Sequence, residues 1–348
     1  MPQDNGMPAQ DWRSVAERTE EATPLGVERA RAAEPGRGRD ASAPQDIPAR
    51  GWRDIVWRLL WSISEDRVLS TAGSVAFFAL LAVFPGLATV VSLYGLFADA
   101  GSVGGGLALL DGVVPDGVLE LVGDELARVA SQRSGALGLA FLLGLAVALW
   151  SANSGMSALF DALNVVYKER EKRSLALFYA MTFLFTLGTV CFVLVAVGAV
   201  VVLPVALKLF GVATSAERVL AVARWPLLLL VVVLGLALIY RFGPSRRPAK
   251  WRWVTWGSTF AAVLWVGVSM LYSWYVASFD SYNRIYGSLG AGVGLMTWIW
   301  LSVVVVLAGA ELDAEMERQT AVDTTSGRPK PLGARGAVVA DTVGDAAS

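Results

Sequence analysis

The sequence contains no histidine and a single cysteine. With these two scarcities, no His/Cys metal site, Cys–His pair or Ser–His–Asp arrangement can be assembled from one chain. A disulfide within the chain is excluded as well. Cys191 has no partner, lies midway along an apolar run and reads as a small core residue. Charge is also scarce: 17% of the 348 residues are Asp, Glu, Lys or Arg, against about a quarter in a soluble domain. With 29 basic and 30 acidic residues the net charge is −1, which gives no footprint for nucleic acid. No Walker motif is present, so any pumping would draw on an ion gradient or a partner. Neither a cofactor nor a resident metal is expected.

What the chain does have is apolar length. Hydrophobic residues make up 55% of it, with 13 Trp, and the mean hydropathy is +0.54. Residues 71–98, 134–160, 174–207, 225–240, 253–279 and 285–310 contain no charged side chain. A hydrocarbon core of about 30 Å needs roughly 20 apolar residues in helix, and five of these windows reach that length. The fourth alone spans only about 24 Å. Extending it back to Val219 brings in Arg224, whose stem can snorkel to the headgroups, and places Pro226 near the helix start. The fold class expected is all-α, a polytopic membrane protein with six spans at about 70–97, 135–163, 175–205, 219–241, 253–277 and 286–311.

The flanks set the orientation. Lys and Arg on alternate flanks number twelve (51–70, 165–173 and 241–252) against six on the others. By the positive-inside rule both termini face the cytoplasm of a bacterial plasma membrane. Residues 1–50 and 319–348 mix charge with Ala, Pro, Gly and Thr and carry no apolar run, a composition that predicts disordered tails. Trp52, Ile55, Val56, Leu59, Leu60 and Ile63 fall at helical spacing, with Arg53, Asp54, Arg58, Ser62 and Glu65 on other faces. This pattern predicts an amphipathic helix in the interface plane, acting as a positioning elbow or a lipid sensor. In the outer loop Val118, Val122, Leu126 and Val129 form a second stripe, a packed connection or a lid.

Polar residues within the apolar runs are the candidate site, because intramembrane polarity is expensive. Trp150, Ser154, Ser157, Asp161 and Asn164 share one face of the second span. They are either interhelical hydrogen-bond glue or the lining of a substrate path. The span directions bring Asp161 level with Arg241 and with Glu311, Asp313 and Glu315, as a structural ion-pair cluster or as a gate. On the outer side Asp280, Tyr282, Asn283 and Tyr286 form a cluster suited to membrane anchoring or ligand contact. Gly290 and Gly294 make a GxxxG for close packing of the sixth span, and Pro85 predicts a kink or a local break in the first.

Together these residues carry a family pattern. The run Ala72 to Pro85 (AGSVAFFALLAVFP) resembles the first-span signature of the YihY family of bacterial membrane proteins, also labelled the BrkB virulence-factor family or, historically, ribonuclease BN. Further matches are Leu149 to Gly155 (LWSANSG), Asp161 to Asn164 with Tyr167, Arg224 to Pro226, and Tyr240-Arg241 with Pro244. The set closes with Tyr282-Asn283, Tyr286 to Gly290 and Gly309 to Leu312, and so covers about 68–316. The resemblance implies a six-span inner-membrane protein whose relatives are discussed as serum-resistance factors and exporters of envelope lipids. The ribonuclease label does not suit a chain with no His and no basic groove for an RNA backbone. A carboxylate-only metal site using Asp161 and Glu311 is the one form it could take, and it is set aside. The expected function is therefore non-enzymatic: a transporter or flippase-like protein for an envelope lipid or other amphiphile. The alternative is a non-transporting scaffold or assembly factor. Membrane lipids are the expected partners, and six spans are few enough for a secondary transporter to be compatible with a homodimer.

Overall fold

A charge-free run in lipid satisfies its backbone polar groups only by closing them into a helix. The computed structural model of the chain, which describes residues 24–97, 134–197, 214–278 and 290–347, is accordingly helical. Its helices are α1 (Pro24–Ala32), α2 (Ala49–Glu65), α3 (Val68–Phe97), α4 (Ser134–Val166), α5 (Leu175–Val197), α6 (Thr214–Phe242), α7 (Trp251–Ser278), α8 (Gly290–Glu317) and α9 (Val338–Asp341). Helices α3 to α8 hold six stretches long and apolar enough to cross a membrane. The outer stripe at 118–129 and the cluster Asp280, Tyr282, Asn283 and Tyr286 lie outside the described residues.

The strongest contacts between spans run in a row, in the order α5, α4, α3, α8, α7, α6, with α8 also touching α4. Helices α5 and α6, consecutive along the chain, pack chiefly on α4 and α7 respectively, and α6 also reaches α8, where the Tyr240 hydroxyl donates to Val306 O at 2.6 Å. Burial follows the row: 28% of the apolar window of α7 and of α8 is buried, but only 11% of that of α6. Cys191, expected in the core, is exposed on α5. The main apolar core gathers at the end that carries the tails, from Ala72 of α3, Ala162 and Leu163 of α4, Ala237 and Tyr240 of α6, Ala261 of α7, and Leu307 and Ala310 of α8.

The helices refine several expectations. A close approach of α8 to α7 is made by Gly309: a Cβ there would sit 2.6 Å from Ala261 Cβ and 2.8 Å from the Gly257 oxygen. Gly294 lends its carbonyl to the Tyr272 hydroxyl at 2.8 Å, and Gly290 opens α8. Helix α3 continues through Pro85 without the local break that is one of the two expectations there. Helix α6 begins at Thr214, so Pro226 lies inside it rather than at its start. Membrane helices tolerate such prolines because neighbouring groups re-satisfy the freed carbonyl.

The amphipathic α2 is present, but its polar stripe faces inward. Asp54, Arg58 and Ser62 are buried together with Ile55, whereas Val56, Trp57, Leu60 and Trp61 are exposed. Beside lipid, the apolar face of such a helix belongs outside. The tails are also packed where described, contrary to the disorder their composition predicts. Gln319, Thr320, Thr324, Thr325 and Arg335 are buried. Arg39 donates to the Gly344 carbonyl at 2.8 Å, Thr320 to Ala41 O at 2.7 Å, and Ala249 forms an antiparallel bridge with Thr325. The disorder criterion counts apolar burial, and this cap is held by side-chain bonds to backbone carbonyls instead.

Candidate functional site

Helix geometry distributes the acids at the end of α8. Residues two apart on a helix lie about 200° apart, so Glu311 and Glu315 share one side while Asp313 and Glu317 share the other. On the first side the buried Glu311 faces Asp66, which accepts from Lys168 Nζ at 2.5 Å. Glu315 accepts from Arg58 Nε at 2.5 Å and from Arg318 at 2.8 Å. Burial holds the Arg58 guanidinium below its ordinary value, with the Glu315 carboxylate opposing that shift. On the second side Asp313 accepts from the Gly257 N–H at 2.7 Å. Glu317 pairs with Arg246 at 2.6 Å, both side chains fully buried, and accepts from Thr324 at 2.7 Å. Burial works against the Arg246 charge, but Glu317 outweighs it and keeps the guanidinium ionised.

The stripe on α4 does not converge with these acids. Ser154 donates to Trp150 O at 2.9 Å and Ser157 to Asn153 O at 2.8 Å, so both hydroxyls serve their own helix. Asp161 is exposed, with the charges of Glu171 and Arg173 as its neighbours. Asn164 is buried and clamps two loops: its Nδ2 donates to Glu171 at 3.1 Å and its Oδ1 accepts from the Ser245 N–H at 2.7 Å. Burial pushes the Glu171 carboxyl up, but hydrogen bonds from the Arg173 side chain and backbone and from Asn164 prevail and hold it at about 2.

Arg241 goes elsewhere. It donates to the Ala249 carbonyl and lies 4.7 Å over the Trp251 ring, in the wall of a pocket between the start of α5 and the end of α6. This pocket, about 360 Å³, is lined by Lys172, Arg173 and Met181 on one side, Arg241 and Phe242 on the other, and the loop from Pro244 to Pro248 with Gly336. Five of the lining residues are cationic and none is acidic. Arg173 ties the two sides together, donating to Gly243 O at 2.7 Å with its guanidinium over the rings of Phe160 and Phe178. Sequence reasoning used Lys172, Arg173, Arg246 and Arg247 only to orient the chain. The signal for the pocket was there in the same two loops, in the pairing of a Lys-Arg and an Arg-Arg step.

A family model described as Virulence factor BrkB matches residues 59–332, well over half of the chain. The chain belongs to the BrkB family. That confirms the resemblance carried by the motifs between Ala72 and Leu312. The BrkB match takes in all six spans and both pocket loops and stops short of Gly336. The chain is 30% identical over 258 residues to YfkH of Bacillus subtilis, a protein named as ribonuclease-like, covering 72% of this chain and 90% of YfkH. It is 28% identical over 262 residues to a UPF0761 membrane protein of Vibrio campbellii, covering 74% and 80% of the two chains. A UPF0761 membrane protein of Methylibium petroleiphilum is 26% identical over 294 residues, covering 80% of this chain and 66% of the relative. No solved structure gives a significant match. With six apolar helices and these membrane relatives, this BrkB member is a multi-pass bacterial membrane protein.

Proposed function

We propose that the chain is a transporter or flippase-like protein for an amphiphile of the bacterial envelope. The observation that carries this reading is the cation-lined pocket between α5 and α6, two helices that each pack chiefly on a different neighbour. An amphiphile needs a pair of environments, a charged place for its head and an apolar place for its chains. The excess of Lys and Arg on alternate flanks supports a cytoplasmic position for the pocket. One observation favours the scaffold reading: Ser154, Ser157 and Asn164 are engaged in structure, so the α4 stripe does not read as a path. The name of YfkH does not carry a nuclease reading here. The acids of α8 are directed to separate partners, and among the described residues no three His, Cys, Asp or Glu gather for a metal.

The test is transbilayer movement of fluorescent lipids in liposomes holding the purified protein. Faster movement than in protein-free liposomes supports transport. Equal rates, with the protein shown to be folded, support the scaffold.

A further inference from the structure

The pocket differs from the rest of the cap in how its cations are matched. Lys172 bonds Glu169 at 2.6 Å, Arg173 bonds Glu171 at 2.8 Å and Arg246 bonds Glu317 at 2.6 Å. Arg241 and Arg247 line the same space with no carboxylate partner among the described residues. Two guanidinium nitrogens of these unpaired cations are buried with no hydrogen-bond partner among the described residues: Nε of Arg241 and Nη1 of Arg247. A buried donor left unmatched is costly, and more so when charged. Buried cations are retained where an anion meets them. The Arg241 guanidinium also rests on the Trp251 ring at 4.7 Å, which fixes its plane and leaves its N–H edge as the part that recognises a ligand.

We infer that this pocket is a binding site for a phosphate-type oxyanion, held by Arg241 and Arg247. Guanidinium N–H groups match the oxygens of phosphate in directed, charge-assisted bonds, which favour a polyoxyanion over a halide. At about 360 Å³ the space lies at the small end of ligand pockets, which run from roughly 300 to 1,000 Å³. It therefore holds a phosphate and little more of a headgroup. Met181 and Phe242 give the lining an apolar part, suited to the glycerol and first methylenes of a lipid. The phosphate comes either from a lipid headgroup or from free phosphate. The lipid source rests on the amphiphile reading, whereas the anion site stands without it.

The test is calorimetric titration of the full chain in neutral detergent with two probes, inorganic phosphate and a water-soluble short-chain phosphatidic acid. Binding of at least one probe is expected, weakened about tenfold or more in Arg241→Gln and in Arg247→Gln. It should be unchanged in Arg252→Gln, an exposed cation outside the pocket. Binding of inorganic phosphate alone assigns a free anion, and binding of the phosphatidic acid alone assigns a headgroup. Binding of neither probe by the wild type, or equal binding by both pocket variants, overturns the site. Because a variant can misfold, the wild type is also modified with phenylglyoxal and mapped by mass spectrometry. Bound phosphate should protect Arg241 and Arg247 but not Arg252, and equal modification of all three contradicts the site. Phosphate binding without lipid movement would keep this site and end the transport reading; lipid movement indifferent to both variants would do the reverse.

Discussion

The membrane-spanning row and the cap at its tail-bearing end are built on opposite rules. Along the spans apolar side chains point outward: Leu184, Leu194, Leu227 and Met270 are all exposed. In the cap the polar side chains are the buried ones, with Asp54, Glu315, Glu317 and Gln319 at 1% exposure or less. Both follow from one principle, since each group goes where its solvent is. Lipid solvates the spans, so their helices are held by small-residue contacts such as Gly257 against Gly309. The cap is solvated by its own hydrogen bonds and ion pairs. In the pocket between α5 and α6, Arg241 and Arg247 share a space with no carboxylate partner among the described residues, and that marks the site.

The comparison breaks most visibly at the buried pair of the cap. Arg246→Met leaves Glu317 without its cation and should cost about 3–5 kcal/mol, read as a large fall in Tm in detergent. Removing an exposed span side chain, as in Leu194→Ala, should leave Tm nearly unchanged. If the two fell equally, the contrast would be wrong. Next comes Gly257→Val: a side chain there meets the Gly309 carbonyl and the Asp313 carboxylate, and overpacking of this kind costs about 1–3 kcal/mol. Asn164→Ala releases both the Glu171 bond and the Ser245 bond, again about 1–3 kcal/mol. Trypsin cleavage in 165–174 and 243–250 should quicken in this variant.

The pH prediction is smaller and concerns Glu171. Its carboxyl is held at about 2 in the fold against an ordinary value of 4.5. Its contribution is thus complete above the ordinary value and is lost as pH falls from there toward 2. Wild-type Tm should drop more steeply between pH 5 and 3 than that of Glu171→Gln, and parallel curves would refute the assignment. Ser154→Ala should have the least effect, within about 0.5 kcal/mol, because its hydroxyl bonds only its own helix.

The spans were legible because charge-free length is a local signal, and the helix ends mostly fall within a few residues of the windows. Helices α6 and α8 are exceptions, since α6 begins at Thr214 and α8 carries its acids on to Glu317. The amphipathicity of α2 was legible too, but which of its faces meets protein was not. That depends on whether the surroundings are lipid or water, and on Arg58 finding Glu315 at a separation of 257 residues. The tails escaped for the same reason. Their order comes from long-range bonds of Arg39 and Thr320 to carbonyls, which leave no periodicity. For the site, Arg241 and Glu311 were found by depth, but their depth did not make them partners: Glu311 faces Asp66, and Arg241 belongs to the pocket.

The account rests on a phosphate-bearing amphiphile sitting with its head at Arg241 and Arg247. Native mass spectrometry of the protein extracted from bacterial membranes in mild detergent tests this most directly, comparing the wild type with the Arg241→Gln/Arg247→Gln double variant at matched Tm. The account predicts a retained adduct with the mass of a phosphate-bearing lipid on the wild type, and its loss from the double variant. An equal adduct on both proteins, or none on either, would contradict it.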